Sequence, residues 1–361
     1  MNTMLYVTGI NSEENLKTSI MELFLKSTSN LEWLSPGDIV LLKPALNSPC
    51  PYPSTTHPLA VRVISEIILE RGAKVVVGDQ SGIRSVLHGR KGVVRGNSRE
   101  NYIKSGMGTE KDNFIAFEQE GWDDGFNNYQ MPGTQSWHNG FYITKWVEKA
   151  DHIINLPRIS THTQAGATLG FKNMIGLLRE DSRMEYHANG PYNNIMKFNA
   201  RGSSLKSVND HTGTFLEKIV EISDSIQDKH RLTLFVATKA QTTLGPDRQL
   251  FEIGKLKLAK AYVTNIKPGL IFASQDQVAV EAFALALLKC LRKELPAKAR
   301  MLERLILFAS NNTNKLDKIP VRDHPYIRHS LYRGLGEFPS KIKFKNMSID
   351  IQNILTEILQ E

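Results

Sequence analysis

The sequence predicts an α/β protein built on a doubly wound, mainly parallel sheet, and three observations carry that prediction. Apolar runs of strand length, IVLLKP, KVVVGD and HIINLP among them, are hydrophobic on both faces, as strands covered from both sides are. Stretches with helical period alternate with these runs. Cysteine supplies no other framework: Cys50 and Cys290 stand alone, outside any CxxC or CxxH spacing.

The elements follow in order. The first 35 residues contain an amphipathic helical stretch, Leu16 to Leu25, and read as an N-terminal extension before the Ser35-Pro36-Gly37 break. Residues 36–290 read as the α/β core domain. IVLLKP is its first buried strand, and the three prolines of CPYPSTTHP exclude regular structure after it. LAVRVISEIILERG places Val61, Ile64 and Ile68 on one helical face, with Gly72 as the stop and the strand KVVVGD next. Strand, helix and strand at this spacing make a right-handed βαβ unit. Residues 82–150 mix aromatic and polar side chains, with a short helix expected near Phe114, and are read as an irregular insertion. The pattern resumes with HIINLP, a loop RISTHTQAGATLG and the helix FKNMIGLL, then TFLEKIVEISDSI, RLTLFVA, LIFAS and QVAVEAFALALLK. Residues 291–361 read as a helical, basic C-terminal tail.

The chain has 361 residues, 41% of them hydrophobic and 23% charged, enough for one large core. The net charge of +8 comes from Lys and Arg spread along the chain, which favours an anionic small molecule over nucleic acid. No apolar run approaches the ~18 residues of a membrane span, and MNTMLYVTGINSEE lacks a signal-peptide pattern, so the expected location is cytoplasmic with no membrane partner.

Candidate chemistry gathers at the strand ends. Lys43 closes the first strand, and Thr55 or Thr56 is placed to cap the next helix with Pro58 in its first turn. A cation beside a helix start is either an anion site or a capped turn with a surface charge. His57 shares that turn as an anion or metal ligand. Asp79 lies between glycines just past a buried strand, where it either holds a metal or ribose hydroxyl or closes an Asx-turn; no GxGxxG accompanies it. The densest element is LPRISTHTQAGATLGFKNMIG, with Arg158, His162, Lys172 and Asn173 around one loop, and Arg179 and His187 close behind. A lysine opening an apolar helix either snorkels or is desolvated and becomes available for covalent or base chemistry. Asp276, opening the last core helix, is either a site acid or a carboxylate at the helix N-terminus, and reads as the cap.

The strings VLLKPALN, PYPSTTHP, GAKVVVGDQSG, DHIINLPRISTHTQAGATLGFKNMIGLL and SQDQVAVEAFALALL, in that order over about residues 38–290, resemble the domain-of-unknown-function family 362. That resemblance implies redox work, since the family is often fused to a ferredoxin-like module; with no cysteine set for an iron–sulfur cluster in this chain, a separate ferredoxin is the implied partner. Thr238 and Glu281 stand where the family commonly carries Asp, which weakens a metal role at those positions. His162, Lys172 and His187 are also distantly similar to the histidine, lysine and histidine of nickel-pincer lactate racemases, in which the lysine tethers the cofactor and the histidines act as metal ligands or acid–base groups.

The expectation is therefore an enzyme, an oxidoreductase or a racemase or epimerase, acting on a small anionic substrate next to its carboxylate. Lys43, Thr55, Thr56, Arg158 and Asn173 would bind substrate, and His162, Lys172 and His187 would carry the reaction. A divalent metal, if used, would sit on His57, Asp79 and His162. The rivals are a non-catalytic binder of a phosphorylated metabolite or nucleic acid, and a partner protein of a ferredoxin.

Overall fold

The computed structural model describes residues 4–130, 134, 136–187, 197–198, 200–203, 205, 215–253, 256–309 and 316–361. Its strands are β1 (Leu5–Ile10), β2 (Ile39–Pro44), β3 (Lys74–Asp79), β4 (Leu87–Gly89), β5 (Gly92–Arg95), β6 (Phe114–Ala116), β7 (Phe126–Tyr129), β8 (Phe141–Thr144), β9 (His152–Leu156), β10 (Ser160–His162), β11 (Gly166–Thr168), β12 (His230–Gln241), β13 (Gln249–Ile253), β14 (Leu256–Lys260), β15 (Val263–Ser274) and β16 (Ile342–Lys345). Its helices are α1 (Leu16–Ser27), α2 (Pro58–Glu70), α3 (Ser98–Lys104), α4 (Trp146–Lys149), α5 (Gly170–Asn173), α6 (Glu180–Tyr186), α7 (Phe215–Glu221), α8 (Gln277–Lys293), α9 (Ala297–Ala309), α10 (Pro325–Tyr332) and α11 (Ile349–Gln360).

Apolar residues on both faces of β2 force it into the middle of a covered sheet. Val40 and Leu42 join one core cluster with α1 and α2, while Leu41 points to the other, which α5 and α8 cover. The sheet runs β16-β1-β15-β12-β9-β2-β3-β6, with the β10–β11 hairpin attached beside β12. From β12 through β9, β2 and β3 to β6 every pairing is parallel. β15 pairs antiparallel with both β1 and β12, so the sheet is mixed on one side and mainly parallel overall. The doubly wound α/β class thus holds.

Several local expectations change. The first 35 residues supply β1 to the sheet, and the C-terminal region adds β16 beside it, so both ends of the chain build the sheet. Phe114 lies in β6, an edge strand, and the short helix is α3 instead. The segment after β9, expected as a loop, forms the hairpin of β10 and β11, with His162 paired to Gly166. The cap of α2 is His57, whose Nδ1 accepts from Leu59 N at 3.2 Å, and not Thr55 or Thr56. Pro58 occupies the first helical position, which makes its predecessor the cap. The stop matches: Gly72 takes φ 80°, a conformation that favours glycine, and its N–H reaches Leu69 O at 2.9 Å. Asp276 caps α8 through Ala279 N at 2.9 Å.

This winding creates one privileged crevice. The chain leaves β2 toward β3 on one side, whereas β9 flanks it on the other, so the carboxyl ends of β2 and β9 border the topological switch point. No helix among the described residues is long and apolar enough to cross a membrane.

Candidate functional site

Around the switch point the cationic side chains fall into two groups with opposite electrostatic fates. The first is closed. Lys43, at the end of β2 and fully buried, donates to Asp79 Oδ1 at 2.8 Å, to Pro44 O at 2.7 Å and, more weakly, to Asn173 Oδ1 at 3.5 Å. Three donors are all an ammonium has. Asp79, at the end of β3, accepts in addition from Leu46 N and Gln80 N, each at 2.8 Å. Burial pulls the Lys43 amine below its ordinary pKa, and the Asp79 charge pulls it back up. Gly176 packs directly on the pair: a Cβ there would fall 1.9 Å from Asp79 Oδ1 and 2.6 Å from Lys43 Nζ. Asn173 ties the pair to β9, donating to Lys43 O at 3.1 Å and to Asn155 Oδ1 at 2.8 Å. Lys43, Asp79 and Asn173, expected as substrate and metal ligands, therefore spend their hydrogen bonds on one another and on the backbone.

The second group centres on Arg158. Arg158 follows β9 and is 1% exposed, yet its guanidinium makes one hydrogen bond, from Nη2 to Pro246 O at 2.7 Å, while Nε and Nη1 have no partner among the described residues. Burial lowers its pKa to about 10, partly offset by the charge of Asp247, so it stays protonated at neutral pH. Lys172, on α5, is held at about 7 by burial and by the positive charges of Arg158 and Arg183. His162, at the tip of β10, is pushed well below the usual imidazole range by burial, then by Lys172, His187 and Arg158. His187, just past α6, is lowered to about 3 by burial and Lys172. The mutual effects put Arg158, His162, Lys172 and His187 in one buried cluster.

The two histidines carry opposite tautomers. His162 Nδ1 accepts from Gln164 N at 3.1 Å and Ala165 N at 3.0 Å, so its proton resides on Nε2. His187 Nδ1 lies 2.9 Å from Arg183 O, an acceptor only, so Nδ1 carries the proton and Nε2 the lone pair.

The supporting shell is largely buried and polar. Glu281, from α8, accepts from Phe171 N at 3.2 Å at the start of α5, and burial raises its pKa to about 8. Arg183 donates to Ser81 O, Gln80 O and Leu178 O, which fixes α6 against the β3 loop. Sequence reading passed over Arg183; its position four residues before His187, on the same helical face, is the signal that would have found it. Arg179 turns away, paired with Asp181 at 2.7 Å and stacked 3.3 Å over the Tyr142 ring. Thr56 Oγ1 accepts from Ala45 N at 2.8 Å and donates to Leu156 O, a structural clasp between loops. Thr55 is buried with its hydroxyl unpartnered among the described residues.

The proposed metal set does not assemble. Asp79 is consumed by Lys43 and two backbone N–H groups, and His57 is spent on capping α2, its pKa lowered to about 4 by burial. Among the described residues no three His, Cys, Asp or Glu side chains converge as metal ligands. These residues do not fit a protein-ligated metal centre.

A family model described as "Domain of unknown function (DUF362)" matches residues 40–286. A thylakoid-associated protein of Synechocystis, sll1697, is 27% identical over 158 residues, 43% of this chain and 44% of that protein, so the chain matches less than half the length of this relative. Among solved structures, the lactate racemase apoprotein from Thermoanaerobacterium thermosaccharolyticum gives a TM-score of 0.38 at 14% identity, covering 72% of this chain and 54% of that one.

Proposed function

Since the chain belongs to the DUF362 family, whose description leaves the reaction to be argued from the site, we propose that it is an enzyme that binds a small 2-oxo or 2-hydroxy carboxylate on Arg158 and moves a proton at the neighbouring carbon. The observation that carries this reading is the buried Arg158 guanidinium, two of whose nitrogens have no partner among the described residues. A buried donor left unmade costs about 1–3 kcal/mol, more when charged, and a carboxylate is among the anions whose geometry a guanidinium matches.

Acid strength then distributes the roles. A proton carrier works best with a pKa near the ambient pH, and of the three titratable partners Lys172, at about 7, meets that condition. His187, at about 3, is too weak a base, and His162 is equally confined to its neutral form. With the substrate carboxylate on Arg158, neutral Lys172 removes a proton from the carbon beside the oxo group. The C–H electron pair moves into the new C=C bond and the oxo oxygen becomes an enolate. His162 Nε2–H stabilises that oxygen as a neutral donor. Return of the proton from the Lys172 ammonium completes a cycle with no net redox change. The reading places this activity in the cytoplasm.

Proton NMR in deuterium oxide with a panel of 2-oxo and 2-hydroxy acids tests it. The expected result is deuterium incorporation beside the oxo group, faster as pH rises through about 7, and lowered by ~100-fold or more in Lys172→Ala, which keeps its near-ultraviolet circular dichroism. The reading falls if no acid exchanges, or if Lys172→Ala exchanges and binds like the parent.

A further inference from the structure

The amphipathy of α9 is reversed relative to a helix that serves the core. Among its described side chains the one buried residue is the charged Glu303, which receives Arg292 Nη1 at 3.0 Å and Nη2 at 2.8 Å and accepts from Leu244 N at 3.4 Å. Arg300, one turn earlier, is half-buried and holds Arg292 O and Lys293 O at 3.1 and 3.2 Å. The helix is thus pinned to the body by charge. Leu302, Ile306 and Leu307 are half-buried, whereas three large apolar residues face the other way: Met301 and Leu305 are each 59% exposed and Phe308 is 87% exposed.

At about 100° per residue these three side chains fall within about 60° of one another, on the side opposite Glu303. The exposed cations Lys298 and Arg304 lie about 50–70° to either side of that stripe. An apolar ridge with a basic residue on each flank is the pattern of a helix lying in a lipid interface, its large side chains in the acyl boundary and its lysine and arginine at the anionic headgroups. Three side chains on one short helix fall well short of the roughly 800 Å² per partner that a stable protein interface buries, so a second copy fits the ridge poorly.

We propose that α9 is a membrane-surface anchor, docking the protein on anionic bilayers through Met301, Leu305 and Phe308 with Lys298 and Arg304 at the headgroups. The lack of a spanning segment, from which the sequence suggested no membrane partner, does not bear on this mode, because an interfacial helix lies in the plane of the membrane.

The test is co-sedimentation of the full chain with vesicles of phosphatidylcholine and phosphatidylglycerol, against phosphatidylcholine alone. Binding to the anionic vesicles is expected, weakened by salt, with partition reduced about 10-fold or more both in the Met301→Ser/Leu305→Ser/Phe308→Ser variant and in Lys298→Glu/Arg304→Glu. Circular dichroism and melting temperature should match the parent, since every substituted side chain is exposed. A parent that stays in the supernatant, or a serine variant that pellets equally, overturns the proposal. So does light scattering that finds a dimer, abolished by the serine variant, without vesicle binding.

Discussion

Lys43 and Arg158 are two buried cations within one crevice, and they differ in what surrounds them. Lys43 meets a carboxylate, a carbonyl and an amide oxygen, which match its three donors. Arg158 meets one carbonyl; the Asp247 charge offsets part of its burial, and its own charge lowers the pKa of His162 and Lys172. A satisfied buried ion is a part of the architecture; an unsatisfied one is a cost that, on the proposed reading, a ligand would offset. Burial and charge are shared by both, so the hydrogen-bond balance is the property that separates scaffold from site.

Breaking the closed group should have the largest effect. Lys43→Met or Asp79→Asn leaves a buried charge without its partner and should cost about 3–5 kcal/mol in urea unfolding, while a double replacement by apolar residues of matching volume should recover much of the loss. Single variants as stable as the parent would show the pair to be dispensable. Gly176→Ala attacks the same group sterically and should cost about 1–3 kcal/mol, because the pair has no room to yield.

The Arg158 group should respond with the opposite sign. Arg158→Met removes unmade donors along with the charge, and the melting temperature should hold or rise slightly while carboxylate binding is lost. A drop as large as that of Lys43→Met would mean that Arg158 is also structural.

A further effect concerns pH. His187 is lowered to about 3 in the folded protein against 6.5 in the unfolded chain, so below about 6.5 the unfolded state takes up a proton that the folded state refuses. Its contribution to stability is complete above pH 6.5 and declines as pH falls toward 3. The difference in unfolding free energy between parent and His187→Asn, followed from pH 7 to pH 4, should isolate that slope; a flat difference would place His187 in a solvated setting.

Sequence alone went far with the central strands and less far at the edges. β2, β3 and β9 announce themselves because strands covered on both faces must be apolar throughout. β16 is short and its IKFK alternates in a basic context, while β1, as long as β2 and β3, lies ahead of the Ser35-Pro36-Gly37 break; pairing reveals them, β1 with β15 and β16 with β1. The antiparallel entry of β15 is a property of the connection and not of its residues. Within the site, Arg158, His162, Lys172 and His187 were legible because one stretch of chain carries them. The Lys43–Asp79 pair was not, because whether a lysine faces a ligand or an aspartate depends on how two strands align. The same holds for His57: its cap role follows from Pro58 in principle, yet two threonines just before it are the more usual caps.

The most direct test of the account is calorimetric titration of a small 2-oxo carboxylate into the parent, Arg158→Met and Lys43→Met, with the melting temperature of each. The account predicts saturable binding to the parent, weakening as pH rises through about 7 and Lys172 loses its proton, and no binding to a fully stable Arg158→Met. Lys43→Met should be the unstable variant. Undiminished binding by Arg158→Met would contradict the account, whatever the stability of the three proteins.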